Sequence, residues 1–258
     1  MFDFVNQQWS GKRLLQAVCP VSAPRCRLIC FPCAGGSAAM FRHWPAQLPS
    51  DIEVVALHAP GRGARFSEAA YDAMDPLVDD LLQEFRNLTD VPYLIFGHSL
   101  GARIAYELCH RAESLGLALP EHFVAAGSRS PDIPCFSQPT YDLPEPAFVA
   151  KLAELGGTPS EILQNEEMLS LLLPCLRADF RIAECYTATS IEPLCCPITV
   201  YVGKQDPRTP ADAVTSWQRF SPYALEIKRF DGGHFFVNDN AAVTAAIGQM
   251  LQSLLTES

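Results

Sequence analysis

The chain has 258 residues, 48% hydrophobic and 19% charged, with a formal net charge of −10. That length holds one large α/β domain or two small ones, and the composition is that of a folded chain rather than a disordered one. An acidic chain without a basic block argues against nucleic acid as a partner, and no apolar run reaches the roughly 18 residues of a membrane span.

The first residues, MFDFVNQQWSGKRLLQAV, lack a basic start followed by an apolar core. They do not read as a signal peptide, and the cytosol is the expected compartment. SGKRLLQAV reads as an extra edge strand. Most of the ten cysteines sit in apolar segments, where in a reducing compartment they act as small buried hydrophobes. Cys26, Cys30 and Cys33 fit no common zinc spacing, so no metal is expected.

The first strong strand pattern is RLICF (Arg27–Phe31), which runs into the glycine-rich bend CFPCAGGSAAMF. EVVALH (Glu53–His58) is the next. Asp75–Leu88 then carries apolar residues at Leu77, Val78, Leu81, Leu82 and Phe85, a helical stripe, with Asp75 as its cap and Pro76 at its first position. YLIFGH (Tyr93–His98) precedes a second helical pattern, Ala102–Leu115, and HFVAAGS (His122–Ser128) follows it. Residues 131–193 hold no convincing strand. They contain PEPAFVAKLAELGG, SEILQNEEMLSLLL and PCLRADFRIAECY, three helical patterns punctuated by Gly156-Gly157, Pro159 and Pro174. PITVYVG (Pro197–Gly203), LEIKRF (Leu225–Phe230) and a closing helix, Ala241–Leu255, complete the chain. Short apolar strands alternating with helices predict a mainly parallel sheet covered on both faces. The expectation is one domain over residues 1–258, with 131–193 as a helical insertion within it. That insertion is either a lid over a ligand crevice or a structural cap on the sheet.

Between a strand and a helix stands Gly97-His98-Ser99-Leu100-Gly101, which matches G-x-S-x-G in the context that the motif requires. Small residues two before and two after the serine let strand and helix pass closely. Ser99 then sits at a helix N-terminus, whose free N–H groups favour developing negative charge. A nucleophilic serine needs a base, and the base an orienting acid. Of the later histidines, His110 lies about three turns along the following helix and His122 opens a strand at its wrong end. His234, in FDGGHFF just past the last strand, is the candidate base. Asp206, after the strand ending at Gly203, is the candidate acid, with Asp212 and Asp132 as weaker alternatives. The backbone N–H groups of Leu100 and Ala34 are the candidate oxyanion hole.

FPCAGGS, APGRGARF, FGHSLGARIAYE, LRADF, GKQDP and GGHFF, in this order, resemble the type II thioesterases that accompany nonribosomal peptide and polyketide synthases. The resemblance runs from about Arg27 to the C-terminus. It implies an α/β-hydrolase fold and hydrolysis of acyl thioesters on the 4′-phosphopantetheine arm of carrier proteins, removing stalled or misprimed groups. It implies Ser99, Asp206 and His234 as the triad, Ala34 and Leu100 as the oxyanion hole, and the insertion as a lid. No cofactor of the enzyme's own is implied, since the pantetheine belongs to the substrate. Carrier-protein domains are the implied partners, and a monomer is expected. Two positions depart from the family pattern: Cys33 replaces a histidine, and Leu100 stands where Met is common. Carrier proteins are typically acidic, as is this chain, so docking needs a local basic patch; Arg62 and Arg65 are the candidates, against a reading as salt-bridged loop arginines. The competing functions are a small-molecule carboxylesterase or lipase of the same fold and a non-catalytic synthase-binding protein.

Overall fold

The computed structural model describes residues 13–134, 138–188, 190–238 and 240–257. Seven strands form one sheet: β1 (Leu15–Ala17), β2 (Cys26–Phe31), β3 (Ile52–Leu57), β4 (Tyr93–His98), β5 (His122–Ala126), β6 (Ile198–Gly203) and β7 (Glu226–Phe230). Their spatial order is β1-β3-β2-β4-β5-β6-β7, with β1 antiparallel to β3 and every other pair parallel. The expected edge strand is therefore present at Leu15–Ala17; residues 10–12 of that pattern lie outside the described part.

The central strands read as continuous apolar runs because both faces are covered. In β2, Ile29 and Phe31 join one core with α1 (Met74–Phe85) and α2 (Leu100–Ser114), while Cys26, Leu28 and Cys30 join another with α7 (Ala241–Glu257). Cys26 and Cys30 are thus core residues of one strand face, and every described cysteine is free. The edge strand β7 departs from the expected burial, being mostly exposed or half-buried. Among the described residues, no helix is long and apolar enough to cross a membrane.

Two local expectations are corrected. Asp75 does not cap α1: the cap position is Ala73, and Asp75 lies in the first turn, where its carboxylate accepts from Arg111 instead. The break expected at Pro174 is absent. Between β5 and β6 lie α3 (Glu145–Leu155), the single turn α4 (Ser160–Leu163) and the 20-residue α5 (Glu166–Cys185), which runs through Pro174. Pro174 and Ser170, whose carbonyl the proline leaves without an N–H partner, are both exposed, so water can serve that carbonyl. The break falls earlier, at Asn165, whose side chain accepts the Met168 N–H at 3.0 Å and caps α5. Phe148, Leu152, Leu169, Leu173 and Leu176 make a small apolar cluster among these helices, separate from the two main cores.

Chain direction in the sheet reverses at β2, which has β3 on one side and β4 on the other. At such a switch point the loops leaving two neighbouring strands diverge and open a crevice at their carboxyl ends. Here those loops are the Cys33–Gly36 bend and the Ser99 turn.

Candidate active site

Ser99 follows directly on β4 and precedes the first residue of α2. Its backbone, φ 55° and ψ −114°, is the single positive-φ conformation of a non-glycine residue among the described residues. Such a conformation costs on the order of 1–3 kcal/mol and persists where the surroundings enforce it. Two glycines enforce it by close approach. A Cβ on Gly97 would lie 2.4 Å from Ala102 Cα, and one on Gly101 would lie 2.1 Å from the Phe31 carbonyl oxygen. The second contact was not foreseen. Gly101 makes room for the end of β2, not for the strand before Ser99, and so draws the first turn of α2 against the Ala34 bend.

Ser99 Oγ lies 3.0 Å from His234 Nε2, and His234 Nδ1 lies 2.8 Å from Asp206 Oδ2. Asp206 leaves the end of β6, and His234 sits in the loop after β7. The Asp206 carboxylate also accepts the Arg208 backbone N–H at 2.9 Å and the Thr209 hydroxyl at 3.1 Å. Its side chain is fully buried. Burial opposes its charge, but the His234 ring and these donors outweigh burial and hold its pKa below the ordinary carboxylate value. An ionised acid on Nδ1 leaves Nε2 as the nitrogen that faces Ser99.

The structure does not bring the alternatives to this place. Asp132 is paired with Arg219 and Ser130. Asp212 is exposed in the first turn of α6 (Ala211–Thr215). His110 stacks on Tyr106, and His122 meets Thr199 Oγ1 at 2.7 Å.

Ala34 and Leu100 both border the same cavity as Ser99 and His234. Leu100 is the first residue of α2, so its N–H has no acceptor within the helix. In the bend, Gly36 N–H donates to the Cys33 carbonyl at 2.9 Å and Gly35 N–H to Asp179 Oδ2 at 2.7 Å. Among the described residues, the Ala34 N–H has no such acceptor. Two N–H groups beside a serine hydroxyl can stabilise an oxyanion. Cys33, the departure from the family pattern, is buried with its Sγ 3.9 Å from Met40 Sδ. Burial pushes its thiol up to about 12, so it is a neutral packing residue.

Sequence reasoning passed over His98. It is fully buried, and its Nε2 donates to the His234 backbone carbonyl at 2.9 Å, tying the His234 loop to the strand that leads into Ser99. Among the described residues its Nδ1 has no hydrogen-bond partner. Burial, helped by the neighbouring His234, lowers its pKa to about 3, so the ring is neutral. The only signal in sequence was its place inside the motif.

Arg62 and Arg65 are corrected as docking candidates. Arg62 forms a buried two-point pair with Asp179 of α5, and Arg65 pairs with Glu68 while donating to the His58 carbonyl at 2.8 Å. Arg62 and Asp179 stand 117 positions apart, so nothing in linear order joins them.

The cavity has a volume of about 1440 Å³. Ser99 and His234 lie on one side, and Leu152, Leu155, Ile162, Leu172, Leu176 and Phe180 from α3–α5 line the other. It exceeds the roughly 300–1,000 Å³ typical of small-molecule pockets.

The Thioesterase domain family model matches residues 26–254. The gramicidin S biosynthesis protein GrsT of Aneurinibacillus migulanus is 35% identical over 219 residues, 85% of this chain and 86% of that protein. RedJ, the thioesterase of the prodiginine pathway in Streptomyces coelicolor, superposes with a TM-score of 0.81 at 32% identity over 90% of this chain and 89% of that one. The type II thioesterase BorB of the borrelidin biosynthetic cluster does so with a TM-score of 0.83 at 30% identity, over 92% and 96%. With its parallel sheet, the Ser99 turn and nearly its whole length matched, the chain belongs to the thioesterase family, as a thioester hydrolase of the α/β-hydrolase fold and of the type II kind found in nonribosomal peptide and polyketide pathways.

Proposed function

We propose that this protein removes stalled or misprimed acyl groups from the 4′-phosphopantetheine arm of carrier-protein domains in the cytoplasm, with Ser99 as nucleophile, His234 as base, Asp206 as its orienting acid, and Ala34 and Leu100 as the oxyanion hole. The observation that carries the reading is the unbroken hydrogen-bond chain from Asp206 through His234 to Ser99, opening on a cavity roofed by apolar side chains. Ser99 Oγ attacks the thioester carbonyl carbon while His234 Nε2 takes the hydroxyl proton. The negative oxygen is held by the two N–H groups. The intermediate collapses, the C–S bond breaks, and the pantetheine sulfur leaves with the proton from His234. Water then attacks the acyl-serine with His234 again as base, releasing a carboxylic acid and restoring Ser99. Each step uses only side chains, backbone and water, so the enzyme brings no cofactor of its own. The cavity's size suits a substrate of two parts, an acyl group and the arm that carries it. The helices α3–α5 then serve as the lid. With Arg62 and Arg65 engaged inside the protein, Arg129 and Arg208, which line the cavity and have no carboxylate bonded to them among the described residues, are the better cations for the phosphate of the arm.

The test is a panel of acyl-carrier thioesters with matched free esters. The wild type is expected to form an acyl-enzyme burst and to have a higher kcat/KM on the carrier thioesters. Ser99→Ala is expected to lose the burst, labelling by a fluorophosphonate, and on the order of 10⁴-fold or more in kcat. Undiminished hydrolysis in Ser99→Ala would remove the nucleophile assignment, and a strong preference for free esters would make the protein a carboxylesterase.

A further inference from the structure

Helix α5 carries a buried carboxylate that the mechanism above does not use. The Asp179 side chain is 8% exposed, and its two oxygens serve different parts of the frame. Oδ2 accepts the Gly35 N–H at 2.7 Å and Arg62 Nη1 at 2.7 Å; Oδ1 accepts Arg62 Nη2 at 2.7 Å. Arg62 Nη1 also donates to the Gly36 carbonyl at 2.9 Å. The Cys33–Gly36 bend is thus closed by its own Gly36–Cys33 bond and gripped from outside at the Gly35 N–H and the Gly36 carbonyl. Of the Ala34, Gly35 and Gly36 N–H groups, Ala34's is the one without an acceptor among the described residues, and so free for a ligand. Leu176, one turn before Asp179, presses on the same bend: a Cβ on Gly35 (φ +71°) would lie 2.6 Å from Leu176 Cδ2.

We propose that Asp179, neutralised by Arg62, is a positioning residue for the oxyanion hole: by holding the Ala34–Gly35 peptide on one side of Ala34, while the Gly36 N–H holds the Cys33 carbonyl on the other, it sets the turn at Ala34 so that the Ala34 N–H, carried by the Cys33–Ala34 peptide, faces the reacting carbonyl. Buried ion pairs contribute little net stability compared with well-packed apolar residues, so stability is a weak reason to place one here. Placement of a donor is a stronger one, because a hydrogen-bond donor must be aimed before the charge develops. The arginine has a second task. A bare carboxylate bonded to the residue next to Ala34 would repel the oxyanion that the bend is built to hold, and the two-point Arg62 pair cancels that charge. The inference rests on the hydrolase reading for the chemistry that the hole serves.

The experiment uses the full chain, the hexanoyl thioester of N-acetylcysteamine as substrate, and hexylboronic acid, which forms a tetrahedral anion on the serine. Asp179→Ala is expected to lower kcat about 10²-fold, the scale of losing one oxyanion donor. KM should stay within about threefold, and boronate affinity should fall in parallel with kcat. Asp179→Asn keeps an acceptor for the Gly35 N–H and should stay within about tenfold of wild type. Arg62→Met leaves the carboxylate bare and should lose more than Asp179→Asn, while the double variant Arg62→Met/Asp179→Asn should regain part of that loss. A folded Asp179→Ala with kcat and boronate affinity within threefold of wild type, or with only KM raised, would overturn the proposal. Should Asp179→Ala fail to fold, the comparison of Arg62→Met with the double variant decides: recovery supports the assignment and its absence overturns it. A wild-type preference for the matched hexanoyl ester would remove the thioester substrate alone, since the boronate ratios still test Asp179.

Discussion

The two halves of α5, on either side of Pro174, are held in different ways. The C-terminal half is fixed by directional bonds to the catalytic frame. Asp179 grips the bend, Arg103 of α2 donates to the Ala183 and Tyr186 carbonyls at 3.0 and 3.3 Å, and Tyr186 donates to Glu107 at 2.7 Å. Ile182 lies in the main core. The N-terminal half has Leu169 and Leu173 in the small cluster with Phe148 and Leu152 of α3, and it leaves Met168 and Leu171 about half exposed. Hydrogen bonds to charged groups fix one geometry; a small apolar cluster is non-directional and tolerates sliding. The C-terminal half is therefore tied to the machinery while Leu176 and Phe180 also line the roof, and the N-terminal half belongs to the roof alone, although a single helix joins them.

Core truncations should separate the halves most strongly. Ile182→Ala is expected to lower the free energy of global unfolding by about 2–5 kcal/mol. Leu173→Ala removes similar apolar contact, but its loss should be spent locally. Hydrogen exchange in α3, α4 and residues 166–173 should accelerate, while the free energy of global unfolding from urea titration changes by less than about 1 kcal/mol. Equal effects on global stability would mean that α5 behaves as one unit.

Acid provides a second, smaller contrast, because residues 131–193 contain no histidine. The frame holds His98 neutral, its pKa lowered to about 3 by burial and by His234, and His58 and His122 are lowered to about 4, chiefly by burial. An unfolded chain takes up protons on these rings below about pH 6.5, and the folded one refuses them. Their contribution to stability is therefore complete above about pH 6.5 and falls with pH toward the folded values. His98 alone gives a slope of about 1.4 kcal/mol per pH unit over that window. His98→Asn should flatten the urea-midpoint profile between pH 6 and 4 by about that slope. Exchange in α3 and α4 should follow only the intrinsic pH dependence of amides. An unchanged profile would mean that His98 is not the neutral buried group of the frame.

The frame was readable in the chain because its residues obey local rules. Apolar runs of strand length fixed the six main strands within a residue or two, and the glycines of the Ser99 turn announced a close approach. Asp206 and His234 each stand just past a strand, and the hydrogen bonds of the structure join them to Ser99 in that order. The α5 region was misread because proline usually ends a helix, whereas here Pro174 and Ser170 are both exposed, water can serve the freed carbonyl, and the helix continues. Asn165 followed by two glutamates was the unused start signal. The partner of Arg62 could not be found in sequence at all. Which charge meets which across 117 positions depends on how α5 lies over the bend, and periodicity carries no such information. For the same reason the chain left Arg62 and Arg65 open between a docking patch and salt-bridged loop arginines, and the structure shows the latter.

Pro174 itself provides the smallest and sharpest test of the division. It removes one N–H from the middle of α5 and leaves the Ser170 carbonyl to water, so the helix has its weakest link between the roof and the machinery. Pro174→Ala restores that bond at an exposed position, where no packing must change. Proline is about 3 kcal/mol worse than alanine inside a helix, but alanine also frees the unfolded chain by up to about 1 kcal/mol, so the net gain should be about 2 kcal/mol. The informative readout is where the gain falls. A joined helix should slow hydrogen exchange in residues 166–173 toward the rate of the C-terminal half, and it should transmit the anchoring of Asp179 into the roof. Acyl groups that need the roof to shift should then be turned over more slowly than acetyl, with the acetyl thioester hydrolysed at the wild-type rate. If exchange in the N-terminal half stays fast after the proline is gone, the weak link is the small apolar cluster and not the helix. The two halves would then differ through their packing alone.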